Sequence, residues 1–130
     1  MGLTVFDERT PYVQVSHFGD AIPAGHYDLL SGQEPITRVD SILVASDDTI
    51  DHVYTFTWGL GTSNDIPFRT LTIPAGRGTL PDTRALNVLD PTVMPDVTLI
   101  VGSYQHLGVT IDAPASAGKS VYVTTMGGYV

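Results

Sequence analysis

The sequence predicts an all-β protein, an antiparallel β-sandwich of the jelly-roll type with about 7–9 short strands. No window of the chain repeats its apolar residues every 3.6 positions, as an amphipathic helix would. Short apolar or alternating segments are instead separated by turn residues, in a chain with 13 glycines and nine prolines. The segment 52–58 also alternates strictly, with an aromatic residue at every second position after its start.

The most regular part of the chain is an apolar segment followed by this alternating one. We predict strands at 39–46 and 52–58, joined by the polar turn 47–51. We interpret the two strands as the central hairpin of the sandwich.

Three aromatic side chains, Tyr54, Phe56 and Trp58, share one face of the second strand. A face of this kind normally packs against a second sheet, so we predict that the rings belong to the core. The alternative is a stacking platform for a sugar, as in carbohydrate-binding modules.

The other strands follow from short runs of β-branched and aromatic residues bounded by Gly, Pro and Asp. In chain order they are predicted at 12–18, at the end of 22–30, and at 68–73, 97–101, 107–111 and 120–126. The segment 85–89 is predicted as a short strand or a single helical turn, and 59–65 as a loop. Pro91 and Pro95 disfavour a helix between them.

A chain of 130 residues and 13.9 kDa is expected to form one domain. We assign residues 1–11 to an N-terminal arm and 12–130 to a single β-sandwich domain. The pattern leaves open whether the first 37 residues belong to the sandwich.

Charge and composition exclude several classes of partner. The net charge is −8, with 14 acidic and six basic residues, which disfavours nucleic acid and anionic membrane surfaces. The absence of cysteine excludes disulfides and thiolate metal sites. No secretory signal and no apolar run long enough for a membrane span is present, so we expect a soluble protein.

The turn 47–51 carries the densest group of potential metal ligands, Asp47, Asp48 and Asp51, followed by His52. Hard cations such as Ca²⁺ prefer oxygen ligands of this kind, but the spacing lacks the glycine of an EF-hand loop. Asp residues also favour turns by bonding to their own backbone, and we prefer that interpretation. Whether these three carboxylates bind a cation stays open.

No motif nominates a catalytic, cofactor-binding or metal-binding residue, so we predict no enzyme activity and no cofactor. Ala117-Gly118-Lys119-Ser120 ends like a phosphate-binding loop, but position 113 is Ala instead of the required glycine and a β-rich segment follows instead of a helix. We therefore expect a hairpin turn there. The four histidines are scattered, and no serine lies in a G-x-S-x-G elbow.

Several segments resemble small β-sandwich proteins encoded in the structural-gene clusters of tailed bacteriophages. The resemblance covers roughly residues 38–130. It rests on SILVASDDTIDHVYTFTW (41–58), LTIPAGRG (71–78), ALNVL (85–89), LGVTI (107–111) and AGKSVYVTTMGGYV (117–130). These are packing and turn motifs rather than active-site motifs.

The resemblance implies a structural virion protein, a decoration or cement protein that binds the outer surface of the phage head. Its implied partner is the major capsid protein, reached by the N-terminal arm. It also implies a homo-oligomer, with a trimer favoured. The protein would be soluble in the host cytoplasm before assembly and then lie on the capsid exterior. The alternatives are a tail, baseplate or fibre-associated module, or a carbohydrate-binding module.

Overall fold

A computed structural model describes residues 11–31, 37–60, 64–90, 99–102 and 105–129. These residues form nine β-strands. The strands are β1 (Pro11–Gly19), β2 (Gly25–Ser31), β3 (Thr37–Ser46), β4 (His52–Leu60), β5 (Asn64–Ile73), β6 (Leu86–Asn87), β7 (Leu99–Val101), β8 (Gln105–Ile111) and β9 (Ser120–Tyr129).

The strands form two antiparallel sheets. Sheet A has the order β1-β9-β3-β6, with β7 also paired to β3, and sheet B has the order β2-β8-β4-β5. Without the short β7, the other eight strands have the order of a jelly roll, in which the chain passes repeatedly from one sheet to the other. The predicted fold class is confirmed.

The core lies between the two sheets and consists of every second side chain along the strands, those that point inward. Ile42 and Val44 of β3 and Val121 and Val123 of β9 are buried on sheet A. Sheet B contributes the inward-facing residues of β4 and β8, including Phe56. Each fully buried large apolar side chain contributes about 1.5–3 kcal/mol relative to an exposed one, so this interface is the main source of stability.

The predicted central hairpin is wrong in its pairing, although both strands exist. β3 pairs with β9, β6 and β7 in sheet A, whereas β4 pairs with β5 and β8 in sheet B. The turn between β3 and β4 therefore crosses from one sheet to the other. Alternation along a strand determines which side chains face the core, but it carries no information about which strand lies alongside.

The hairpin turn predicted within 112–119 is wrong for the same reason: the segment is a turn, but it does not join two paired strands. It joins β8 of sheet B to β9 of sheet A, with the Lys119 amide donating to the Ser116 carbonyl at 2.8 Å. The predicted loop at 59–65 is also shorter than expected. Gly59 pairs with Asp65 as the continuation of a β4–β5 hairpin.

The first part of the chain belongs to the sandwich, since β1 is the edge strand of sheet A and β2 the edge strand of sheet B. The strand β1 already includes residue 11, the last position assigned to the arm. Of the two alternatives for 85–89, the short strand is confirmed as β6. Residues 1–10 and 91–98, which include most of the arm and the segment between Pro91 and Pro95, lie outside the described ranges.

Candidate functional site

The three carboxylates of the turn 47–51 bond to three different parts of the backbone. Asp47 Oδ1 accepts from the Ser120 amide at 2.7 Å, and Asp51 Oδ1 accepts from the Ala75 amide at 2.9 Å. These bonds attach the β3–β4 turn to the start of β9 and to the segment after β5. The arrangement supports the turn-forming interpretation of these residues over a shared cation.

Asp48 is the buried member of the turn and accepts three hydrogen bonds. Its Oδ1 accepts from the Thr49 amide at 2.6 Å, while Oδ2 accepts from the Ser116 amide at 2.9 Å and contacts His52 Nε2 at 2.7 Å. The other ring nitrogen of His52 lies 3.2 Å from Oδ1 of Asp112. The ring is fully buried, and it can donate to both carboxylates at once only when both nitrogens carry a proton.

Burial and hydrogen bonding act in opposite directions on Asp48. Burial alone would raise its pKa, but hydrogen bonds from His52, Ser116 and Thr49 lower it further than burial raises it. The pKa of Asp48 therefore lies well below its usual range. Burial, together with the nearby Asp112 and Asp48 carboxylates, raises the pKa of the Tyr54 hydroxyl well above its usual range.

A shallow cavity of about 390 Å³ opens beside this network. It is lined by Asp47, Asp48, Thr49, Ala75, Gly76, Thr79, Leu80 and Lys119. The Asp48 carboxylate already accepts the three hydrogen bonds described above, and the backbone carbonyls of Ser46 and Gly76, both 3.0 Å away, share the one proton of the Thr79 hydroxyl. The network thus holds turns together, and its polar groups are directed at the protein itself.

A second polar pair joins β1 to the start of β9. His17 Nε2 lies 2.6 Å from Ser120 Oγ, and the His17 ring stacks on Tyr122 with centroids 5.1 Å apart. A serine nucleophile needs its histidine base oriented by a third group. Within the described ranges no carboxylate bonds to the His17 ring, so the pair lacks that element of a triad.

The remaining two described histidines come together on sheet B, which the sequence did not indicate. His26 and Asp28 of β2 lie with His106 of β8, and one ligand atom from each is within 4.8 Å of the others. The histidines are 80 positions apart, and only the β2–β8 pairing makes them neighbours. A His-x-Asp pair on a strand was the one available signal, because residues two apart share a face.

The aromatic side chains of β4 belong mainly to the core, as predicted. Tyr54 and Phe56 are fully buried, and the Tyr54 and Phe18 rings pack edge to face with centroids 5.9 Å apart. Trp58 is half-buried. A sugar-stacking platform of all three rings is therefore not present on this strand.

The outer side of sheet A carries an apolar surface. Val13 is 65% exposed, Val15 58% and Tyr122 38%. They lie on the paired strands β1 and β9, where Val13 is opposite Met126. Half-buried apolar side chains of β3 and β9 extend the surface. We define the sheet A apolar face by Val13, Val15, Leu43, Ala45, Tyr122 and Met126.

Comparison of the chain with protein-family models and with curated proteins finds no match. In the parts of the chain that the structure describes, no helix has the length and apolar character needed to cross a lipid bilayer.

Proposed function

We propose that this protein is a structural virion component, a decoration protein that binds the outer surface of a tailed-phage head without catalysing a reaction. The observation that carries the proposal is the sheet A apolar face. Jelly rolls occur in viral capsid proteins, lectins and cupins, so the fold is compatible with this role but does not select it. The surface of the fold provides the argument.

The exposed side of an antiparallel sheet normally carries polar residues at alternate positions. On β1 the outward positions before His17 are instead Val13 and Val15, and both are more than half exposed. Thr124 lies between Val15 and Leu43, and Ser41 lies opposite Met126, so polar side chains interrupt the face. A group of exposed apolar side chains such as Val13, Val15 and Tyr122 favours contact with another protein. We infer that this face contacts the major capsid protein or a second copy of the chain within a trimer.

The charge of the chain supports an external position. A protein with a net charge of −8 would be repelled by packaged DNA, whereas a position on the outside of a capsid avoids this repulsion.

The direct test is co-sedimentation of the purified protein with empty capsids of the major capsid protein from the same gene cluster. Val15→Asp places a charge in the apolar face, and we expect at least a tenfold loss of capsid binding. Ile66→Asp is the matched control, because Ile66 is also 58% exposed but lies on β5, the second edge strand of sheet B. Equal binding by both variants and the unmodified protein would contradict the proposed contact face.

Light scattering tests the oligomeric part of the proposal. We expect a trimer in solution, or a monomer that binds capsids in fixed stoichiometry. Deletion of residues 1–10 is expected to abolish capsid binding and to leave the fold intact. A stable monomer that does not bind capsids would favour a tail, baseplate or fibre module, or a carbohydrate-binding module. Quenching of the fluorescence of the single tryptophan by sugars would identify the last of these.

A further inference from the structure

We propose that His26, Asp28 and His106 form a binding site for a divalent transition-metal ion on the outer face of sheet B. Among the described residues, these three side chains are the one group of potential metal ligands whose donor atoms converge, all within 4.8 Å of one another. The site is separate from the apolar face of sheet A and does not depend on the proposed virion role.

The register of three neighbouring strands creates this cluster. Asp28 of β2 pairs with Gly108 of β8, and Gly108 pairs on its other side with Thr57 of β4. Tyr27, between His26 and Asp28 on β2, packs toward the core, and so does Leu107, which follows His106 on β8. Alternation along a strand therefore places the side chains of the cluster on the opposite, outward face.

In one tautomer of His26, the hydrogen bond to Thr110 orients Nε2 as a metal ligand. Nδ1 lies 3.1 Å from the Thr110 hydroxyl, while Nε2 lies 3.8 Å from Oδ1 of Asp28. A ring that donates from Nδ1 to the hydroxyl has its lone pair on Nε2, on the side of the carboxylate. Metal-binding histidines are usually oriented by such a bond from the second ring nitrogen.

Gly108 provides the space in which the His26 ring lies. A Cβ at this position would come within 2.7 Å of His26 Nε2 and 3.0 Å of the Thr57 hydroxyl oxygen. The ring and the hydroxyl thus meet above a backbone segment that has no side chain. Any residue larger than glycine at 108 would displace the ring.

The Thr57 hydroxyl is an independent indication of a ligand. Thr57 is only 5% exposed, and its Oγ1 has no hydrogen-bond partner among the residues that the structure describes. A buried hydroxyl without a partner costs about 1–3 kcal/mol. A water molecule bound to a metal at this cluster is a hydrogen-bond donor, and it would supply the partner that Thr57 lacks.

The donor set selects the class of ion. Two imidazoles and one carboxylate suit Zn²⁺ and related first-row ions, whereas Ca²⁺ and Mg²⁺ prefer oxygen ligands alone. Zinc–nitrogen bonds of about 2.0–2.1 Å place tetrahedral ligands about 3.3 Å apart, so donors up to 4.8 Å apart must approach one another by up to about 1.5 Å. The His26 and Asp28 side chains are 32% and 53% exposed and can make this adjustment. Three protein ligands leave one position for water or a substrate.

The test is calorimetric titration of tag-free, chelator-treated protein with Zn²⁺, with Ca²⁺ as the comparison ion. We expect one saturable Zn²⁺ site per chain, a higher melting temperature with Zn²⁺, and no heat of binding with Ca²⁺. His26→Gln, Asp28→Asn and His106→Gln should each weaken Zn²⁺ binding at least tenfold. His17→Gln is the matched control, since it removes an exposed histidine from the other sheet and should leave the affinity unchanged.

Gly108→Ala tests the geometry without removing a ligand. The added methyl group should displace the His26 ring and lower the Zn²⁺ affinity at least fivefold, with the circular-dichroism spectrum of a folded β protein retained. The proposal is overturned if Zn²⁺ does not saturate a single site. It is also overturned if His17→Gln weakens binding as much as His26→Gln, or if Asp28→Asn and His106→Gln bind Zn²⁺ like the unmodified protein.

Discussion

Replacement of Asp48 by alanine should be the most damaging single change in the β3–β4 turn. The substitution removes a carboxylate that bonds to the amides of Thr49 and Ser116 and to the His52 ring. Thr49 is exposed, so water can replace its partner, but His52 is fully buried and cannot recover its hydrogen bond. The lost bonds to the buried His52 ring and to the half-buried Ser116 amide, at about 1.5–3 kcal/mol each, predict a loss of about 3–6 kcal/mol.

A loss of this size is a large fraction of the ~5–15 kcal/mol that stabilises a typical domain. Urea unfolding followed by the fluorescence of Trp58 measures it directly. With a urea dependence of about 2 kcal/mol/M, the midpoint should fall by roughly 2 M. The melting temperature should fall by about 10–20 °C.

Asp51→Ala is the control for this experiment, because it makes the same substitution in the same turn. The Asp51 carboxylate accepts one hydrogen bond at an exposed position, from the Ala75 amide. We expect a loss of about 1 kcal/mol or less. If Asp48→Ala costs no more than Asp51→Ala, the buried network does not stabilise the turn as argued.

Three further predictions follow from the same structure. The lowered pKa of Asp48 stabilises the fold at a pH above the ordinary carboxyl pKa of about 4, and this stabilisation is lost as the pH falls below that value. The difference in urea midpoint between the unmodified protein and Asp48→Ala should therefore shrink below about pH 4. A difference that stays constant with pH would contradict this. Phe56→Ala empties a fully buried position and should cost about 3–5 kcal/mol in the same assay, whereas a loss under 1 kcal/mol would place Phe56 outside the core. Gly118→Ala and Gly76→Ala both force a side chain to a positive φ, of 75° and 73°, and should each cost about 1–2 kcal/mol for the backbone. Only at Gly76 would the new Cβ also meet Leu80, at 2.6 Å, so Gly76→Ala should have the lower melting temperature of the two.

The residues that face the core could be predicted from the sequence because they depend on local alternation. The pattern of 52–58 assigned Tyr54 and Phe56 to the interior, and both are fully buried there. Pairing depends on contacts between distant segments, and for this reason the expected β3–β4 hairpin is replaced by pairings of β3 with β9 and of β4 with β8. A strand shows its own buried side but not its neighbour.

The candidate sites illustrate the same limit. The acidic turn 47–51 was visible because its members are adjacent, but adjacency did not show that Asp48 bonds to Ser116, 68 residues away. The cluster of His26 and His106 was not found, since no short spacing joins them. It requires the register of β2 on β8, which only the folded chain defines.

The position of β9 between β1 and β3 also determines when this protein can fold during synthesis. Both β1 and β3 use β9 as a partner along their whole length, and β9 is the last of the nine strands to be made. At about 5–20 residues per second, the roughly 100 residues between β1 and β9 take about 5–20 s to translate. During that time β1 has no neighbouring strand, and its inward-facing Phe18 is not enclosed by a completed sandwich. The nascent chain is therefore expected to depend on chaperones that cover apolar segments until β9 leaves the ribosome.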